Sequence, residues 1–228
     1  MSVLPILFNT DMVRAILDGR KRVTRRAVKY KYSNTEMKMK TDKYGTRLIE
    51  IQKDVSGETF GKNSDGSTWH KLLGYVEPKP PYQSGDILYV RETWTTHYVP
   101  DEDGKPKLEY CYKADGIDIK AECLPGENNR WYPSIHMPKA AARIWLKVTD
   151  VRVERLQDIS GMDVLKEGVN SHVHPEADYF DVNQREMFQS LWNSTIDKKQ
   201  IDTYGWDANP WVWVIEFERC EKPEEGNK

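Results

Sequence analysis

Cysteine is scarce and irregular in this chain: Cys111, Cys123 and Cys220 form an odd set at wide spacing, with no Cys-x-x-Cys pair. That excludes a disulfide framework or a cysteine-based zinc site as the organising element, and it points to reduced thiols in a cytoplasmic setting. Histidine is sparse too; His172 and His174 flank Val173 in a polar stretch and read as a loop pair, so no metal site is expected. No apolar run approaches the length that spans a bilayer, and the first residues lack the apolar core of a secretory leader. Neither membrane insertion nor export is expected. Internal repeats are absent, and a net charge of −2 excludes a surface that captures polyanions over its whole extent.

What is present fits a soluble globular protein. Apolar residues make up 38% of the 228 positions and charged ones 31%, enough for one sizeable core, and eight tryptophans supply an aromatic interior or binding face. Against this near-neutral background one segment stands out. Between Arg14 and Lys31 lie Arg14, Arg20, Lys21, Arg22, Arg25, Arg26, Lys29 and Lys31, opposed only by Asp18. Such a concentrated field attracts phosphates and other anions, although a solvated basic face would have the same composition.

Patterning around that segment predicts alternating elements. Val3 to Phe8 suits a first strand, and Asn9 or Thr10 caps a helix with Met12, Val13, Ile16 and Leu17 on one stripe, ended by Gly19. Residues 29–83 are polar and read as an insertion holding a hairpin, Met37–Lys40 with Arg47–Ile51, closed by the stiff Glu77-Pro-Lys-Pro-Pro81. A single strand is expected from Ile87 to Trp94, with the charged pair Arg91 and Glu92 at the rim of a site; a surface ion pair is the plain alternative. Leu108 to Lys113 reads as a further strand. The Trp131–Pro138 loop, carrying Tyr132 and His136, presents stacking surfaces and a polar tip of the kind that lines pockets, or packs Trp131 into the core.

Arg143 to Leu156 alternates, then slips phase at Thr149-Asp150, as a bulge in a small barrel would require. Ser160 caps a short helix ended at Gly168, residues 170–181 form a polar loop, and Val182 to Ile196 forms a helix with Met187, Leu191 and Trp192 on one face. Trp211, Trp213, Ile215 and Phe217 share one side of a closing strand, and the tail after Cys220 is charged. The expected fold class is α+β: a small mixed β-barrel with flanking helices.

Several pieces together resemble the ASCH family of PUA-like barrels, in the enlarged form common in phages and prophages. They are Ile16-Leu-x-Gly-Arg-Lys21 followed by Thr24 and Arg26, Gly85-Asp86 leading into Arg91-Glu-Thr-Trp94, Leu156–Ser160 followed by Glu167-Gly168, and Trp213-Val-Ile-Glu-Phe217. The resemblance implies a single domain over residues 1–220, with insertions at about 29–83 and 95–130 and a tail at 221–228, and a cleft for RNA, nucleotides or modified bases. Some small members are amidohydrolases that remove an acetyl group from N4-acetylcytidine with a lysine, a threonine and a glutamate. Here these fall on Lys21, Thr24 and Glu167, the glutamate across a more divergent stretch.

For that chemistry Thr24 would be the nucleophile and Lys21 its base. A lysine of ordinary pKa about 10.4 must then lose its proton near neutrality. Arg20, Arg22, Arg25 and Arg26 push that way, while Glu167 opposes them, orienting Lys21 or shuttling protons. Residues three apart on a strand point to opposite faces, so the chain must bend between Lys21 and Thr24. The competing expectation is a binding module for a nucleoside, modified base or single-stranded RNA. Its phosphates would be held by Arg20, Arg22, Arg25 and Arg26, and its bases stacked on Trp94, Trp131 or Tyr132 near Arg91, Glu92 and His136. A third is a phage protein acting on a host factor. None of these needs a metal or an organic cofactor.

Overall fold

The computed structural model describes residues 1–32, 35–43, 45–52, 76–119, 130–170 and 174–224. They form a mixed α+β fold, mostly sheet with few helices. The main sheet has five strands: β1 (Val3–Leu7), β2 (Val23–Ala27), β5 (Ile87–Arg91), β8 (Trp145–Arg155) and β9 (Trp211–Cys220). Their order is β1-β5-β8-β9-β2; β1 and β5 run parallel and every other pair is antiparallel.

Two ribbons are attached to this sheet. One pairs β3 (Thr35–Asp42) with β4 (Gly45–Gln52), inside the first expected insertion; the other pairs β6 (Trp94–Pro100) with β7 (Pro106–Tyr112), inside the second. Residues 53–75 of the first expected insertion and 120–129 of the second, including Cys123, lie outside the described residues, as does His172.

Both faces of the sheet are covered. On one, Ile6, Leu88, Val90, Leu146, Val148, Ile215 and Phe217 pack on Val13 and Ile16 of α1 (Thr10–Leu17). Asn9 caps α1 by accepting from the Met12 amide, and Gly19, at φ +74°, terminates it as the sequence requires. On the other face, Val23, Val212 and Val214 meet Val164 of α2 (Gly161–Lys166) and Phe188 and Trp192 of α3 (Phe180–Ser194). Trp206 joins them just beyond α4 (Ile201–Tyr204). A central strand buried on both sides needs apolar residues at odd and even positions alike, which is why β9 reads Trp-Val-Trp-Val-Ile.

The expected barrel is not closed. Among the described residues no ladder joins β1 to β2, so the sheet is open along that seam. The reason lies in what already occupies the two edges. Phe8 N–H donates to Arg91 and Ile87 N–H to Ser2, so even-numbered residues of β1 face β5 and the carbonyls of Pro5 and Leu7 point outward. Tyr82 Oη donates to Pro5 O at 2.8 Å, and Arg26 Nη2 to Leu7 O at 2.9 Å. Pro5 also has no N–H to offer, which suits an edge and blocks a continuous ladder. Side chains thus bridge the seam where a barrel would have backbone.

Other expectations are corrected. The strand expected over 87–94 is two: β5 ends at Arg91, the chain turns at Glu92-Thr93, and β6 leaves the main sheet to pair with β7. Buried anchoring forces the turn, since the Glu92 side chain is held by Arg143 and its amide approaches Met137. The 170–181 loop ends early because Phe180 opens α3. The core face of that helix is Phe180, Gln184, Phe188 and Trp192, four residues apart, while Met187 and Leu191 are only half-buried. The phase slip in β8 is a bulge between Val148 and Asp150, as expected.

Candidate functional site

Lys21 comes to the site from the end of α1 and not from the strand. The amides of Arg20 and Lys21 both donate to Ala15 O at 2.9 Å, and regular pairing of β2 begins only at Val23. The required bend therefore lies upstream of the strand. Arg22 O accepts from Phe217 and Val28 N–H donates to Trp211, so even-numbered residues of β2 face β9 and the Val23 carbonyl points out of the edge. Lys21 Nζ folds along that edge and donates to Val23 O at 2.8 Å.

Glu167 arrives from the other direction. Ser160 caps α2 by accepting from the Asp163 amide, and Glu167 ends that helix, followed by Gly168 at φ +89°. Lys21 Nζ donates to Glu167 O at 2.8 Å and to Glu167 Oε2 at 2.7 Å, which completes its three bonds. Three oxygen acceptors at such distances are the partners of an ammonium, since a neutral amine has only two N–H donors. Burial pulls the Lys21 pKa below the ordinary lysine value; Glu167 opposes this, and Arg26 and Arg25 reinforce it.

Arg25 completes the cluster. Its Nη1 lies 3.2 Å from Glu167 Oε1 and its Nη2 3.4 Å from Glu154 Oε2. From Glu154 the charges continue to Arg152 at 2.6 Å, and Arg152 reaches Glu216 at 2.5 Å and Asp150 at 3.1 Å. The side chains of Lys21 and Arg25 are 0% exposed and that of Glu167 is 5%. The chain from Lys21 to Asp150 thus runs from a fully desolvated end to a wet one. Arg25 Nε is buried with no hydrogen-bond partner among the described residues, so the cluster is not fully satisfied.

Thr24 is buried and follows the carbonyl that Lys21 holds, but its side chain faces the other way from Arg25, on the Ile215 side of the sheet. Its hydroxyl makes none of the bonds that hold the cluster. Arg26 shares the Thr24 face, opposite Trp213 in register. The Arg26 guanidinium and the Lys21 ammonium approach one ring, that of Phe8, at 5.5 and 5.6 Å. The two cations therefore approach Phe8, which follows β1, from the β2 side. Arg26 also lines a cavity of about 590 Å³ there, with Tyr82 and Trp213 among its walls.

The other expected site residues lie apart from this centre. Arg20 donates to Gly168 O at 2.8 Å and pairs with Asp18, and Arg22 reaches back to Gly19 O at 3.1 Å; both close the α1 turn. Both also line a second cavity of about 760 Å³ beside α2. Arg91 is bound to the carbonyls of Met137 and Ile135. Glu92, 1% exposed, accepts from Arg143 at 3.0 and 3.1 Å, and Arg143 also binds Asp115 at 2.7 and 2.8 Å. Trp94 packs on Tyr132 and Tyr110, with ring centroids 5.3 and 5.8 Å away. Trp131 is half-buried and His136 is exposed on a short 3-10 turn, Ser134–His136. Among the described residues no group of three or more histidine, cysteine, aspartate or glutamate side chains is placed to hold a metal ion.

Sequence reasoning passed over Arg152, Glu154 and Arg143. A signal existed for the first two: the charged residues Arg152 and Glu154 alternate with Val151 and Val153 along the strand. Arg143 carried none, because its partner Glu92 lies 51 positions away.

Comparison with known proteins adds little. No family model and no curated protein matches the chain. Among solved structures the chain is similar to an ASCH domain from Lactobacillus crispatus JV V101, at 13% identity over 96% of this chain and 79% of that one, with a TM-score of 0.33. A likeness that weak decides neither activity nor ligand. No described helix is long and apolar enough to cross a membrane.

The contact of Gly168 with Lys21 yields a first prediction. A Cβ at Gly168 would lie 2.7 Å from Ala15 Cβ and 2.9 Å from Lys21 Cβ, on a residue already in the left-handed region. Gly168→Ala is therefore expected to cost about 2–4 kcal/mol, backbone strain and overpacking together. Urea denaturation checks this; an unchanged midpoint would show that α1 and α2 separate freely and that the Lys21–Glu167 contact is not held by the backbone.

Proposed function

We propose that the chain binds nucleosides or nucleic-acid bases at the open seam of its sheet. One observation carries the proposal: a cavity with Trp213 and Tyr82 in its walls meets, through Arg26, the buried pair of Lys21 and Glu167. Aromatic walls give stacking area and the cations favour an electron-rich or anionic ligand. The residue pattern shared with ASCH proteins points to the same ligand class.

A second reading, hydrolysis of N4-acylated cytidine, is favoured by the 2.7 Å contact between Lys21 and Glu167, and it requires the Thr24 hydroxyl, which faces the other way from Arg25, to come within reach of Lys21. In this reading Lys21 passes a proton to Glu167 Oε2 when substrate displaces Val23 O from its ammonium. Thr24 attacks the acetyl carbonyl, its hydroxyl proton going to Lys21 and then to N4 as the C–N bond breaks. Water releases acetate from Thr24, one of its protons restoring the hydroxyl and the other leaving to solvent, and Glu167 returns its proton to Lys21. The resting arrangement, with Lys21 holding three bonds, favours binding over turnover.

Incubation of the protein with N4-acetylcytidine, with calorimetric binding and chromatographic detection of cytidine, tests both readings. Binding without cytidine release supports the first. Release that is lost in Lys21→Ala and Thr24→Ala supports the second. A protein that binds neither N4-acetylcytidine, the common nucleosides and their 5′-monophosphates nor single-stranded RNA has another function.

A further inference from the structure

The seam cavity carries more information than its aromatic walls. Four cations line it: Arg26, Lys29, Lys31 and Lys79. Two carboxylates line it as well, and both are already committed. Glu50 Oε2 accepts from the Lys31 amide at 2.9 Å, while its Oε1 accepts from the Tyr32 amide at 2.9 Å and from the Thr35 hydroxyl at 2.5 Å. Glu77 is paired with Arg47.

None of the four cations has a carboxylate within ion-pair distance among the described residues. Arg14, Arg20, Lys21, Arg25, Arg143 and Arg152, by comparison, each have such a partner. Arg26 spends one of its five N–H groups on Leu7 O, and the others are free to serve a ligand. Lys29 and Lys31 lean on the rings of Tyr204 and Tyr32, at 3.8 and 5.4 Å. Lys79 is exposed at the mouth. Like charges gathered round one hollow repel each other, so an anion entering it relieves that repulsion as well as making its own bonds. The Trp213 ring, opposite Arg26 on the adjacent strand, gives a stacking surface beside the charges.

We infer that this cavity takes a nucleotide unit, its phosphate held by Arg26, Lys31 and Lys79 and its base stacked against Trp213 and Tyr82. The inference rests on the base-binding proposal and narrows it: the ligand carries a phosphate and is not a bare nucleoside. The phosphate–base unit is the same whether it comes as a free mononucleotide or within a single strand of RNA. A cavity of about 590 Å³ is of a size that encloses such a unit.

The test is calorimetric titration of the intact protein with the four ribonucleoside 5′-monophosphates, the four nucleosides, inorganic phosphate and a short single-stranded RNA, at about 50 mM and about 200 mM salt. Lys31→Ala/Lys79→Ala is the main variant, both side chains being exposed and outside the core. At least one monophosphate is expected to bind at least about tenfold more tightly than its nucleoside, with the advantage shrinking at the higher salt. The double variant should bring the monophosphate down to the nucleoside's affinity and leave the nucleoside unchanged. Tighter binding of RNA than of any monophosphate assigns the strand as the source, and the reverse assigns the free nucleotide.

Equal affinity for nucleoside and monophosphate, or a double variant that binds the monophosphate as wild type does, overturns the inference and leaves base binding standing. Inorganic phosphate binding as tightly as the monophosphates, with no nucleoside bound, removes base recognition and the nucleotide assignment together. Binding of nothing in the set overturns both.

Discussion

Glu167→Gln is expected to destabilise the protein by about 3–5 kcal/mol at neutral pH, and Lys21→Met by less than half of that. The asymmetry follows from the arrangement, because one carboxylate serves two buried cations. Glu167 faces Lys21 at 2.7 Å and Arg25 at 3.2 Å, and both cationic side chains are 0% exposed. Removing the charge of Glu167 leaves two ions in a site that water does not reach. Removing Lys21 leaves Glu167 still paired with Arg25, and the methionine stem fills most of the vacated volume.

The pH dependence of the Glu167→Gln loss has a definite sign. The Lys21 pKa is already lowered by burial, and Glu167 is the cause that resists. Without Glu167 it falls further. A base with a depressed folded pKa adds stability above its unfolded value, about 10.4, and loses it as pH falls through the folded value. The deficit of Glu167→Gln against wild type should therefore be largest near pH 7 and shrink toward pH 10. Urea midpoints with unchanged slopes measure it. A Lys21→Met loss equal to or above that of Glu167→Gln would show that the lysine, and not the carboxylate, anchors the cluster.

The second large effect lies at the other end of the sheet. Arg143→Met is expected to cost about 3 kcal/mol at pH 7, because it strands Glu92, which is 1% exposed. Asp115, the other partner of Arg143, is a third exposed and keeps water as a substitute. Burial raises the Glu92 pKa and Arg143 lowers it. With the arginine gone the Glu92 pKa climbs further. An acid with a raised folded pKa contributes stability below its unfolded value, about 4.3, and loses it as pH rises through the folded value. The Arg143→Met deficit should thus shrink as pH falls from 7 to 4. Adding Glu92→Leu should recover most of it, since no buried charge then remains. Thermal melts across that range decide the matter; a deficit that does not vary with pH would mean that Arg143 acts through its packing on the Tyr112 ring, 4.0 Å away.

Much of the local structure was legible because it depends on neighbours in the chain. Asn9 and Gly19 delimit α1, Ser160 caps α2, and the slipped alternation at Thr149 marks the bulge in β8, each governed by a few adjacent residues. The hairpin of β3 and β4 followed from alternation on either side of Lys43-Tyr44-Gly45. Where a local pattern had two outcomes, packing chose between them. Arg91-Glu92 looked like the rim of a ligand site, yet both are held by partners more than forty positions away, Arg91 by backbone carbonyls and Glu92 by Arg143.

By itself the sequence determined an α+β chain, the span of its first helix, the concentration of cations at residues 14–31, and Lys21, Thr24 and Glu167 as the residues to watch. Tertiary structure alone decided that the sheet stays open between β1 and β2, that Glu167 meets Lys21 and Arg25 while Thr24 faces the other way, and that Arg26, Lys29, Lys31 and Lys79 line one hollow. The physical reason is range. Helix caps, bulges and turns are settled within a few residues, whereas desolvation and charge pairing depend on which distant segments exclude water together, and no local pattern encodes that.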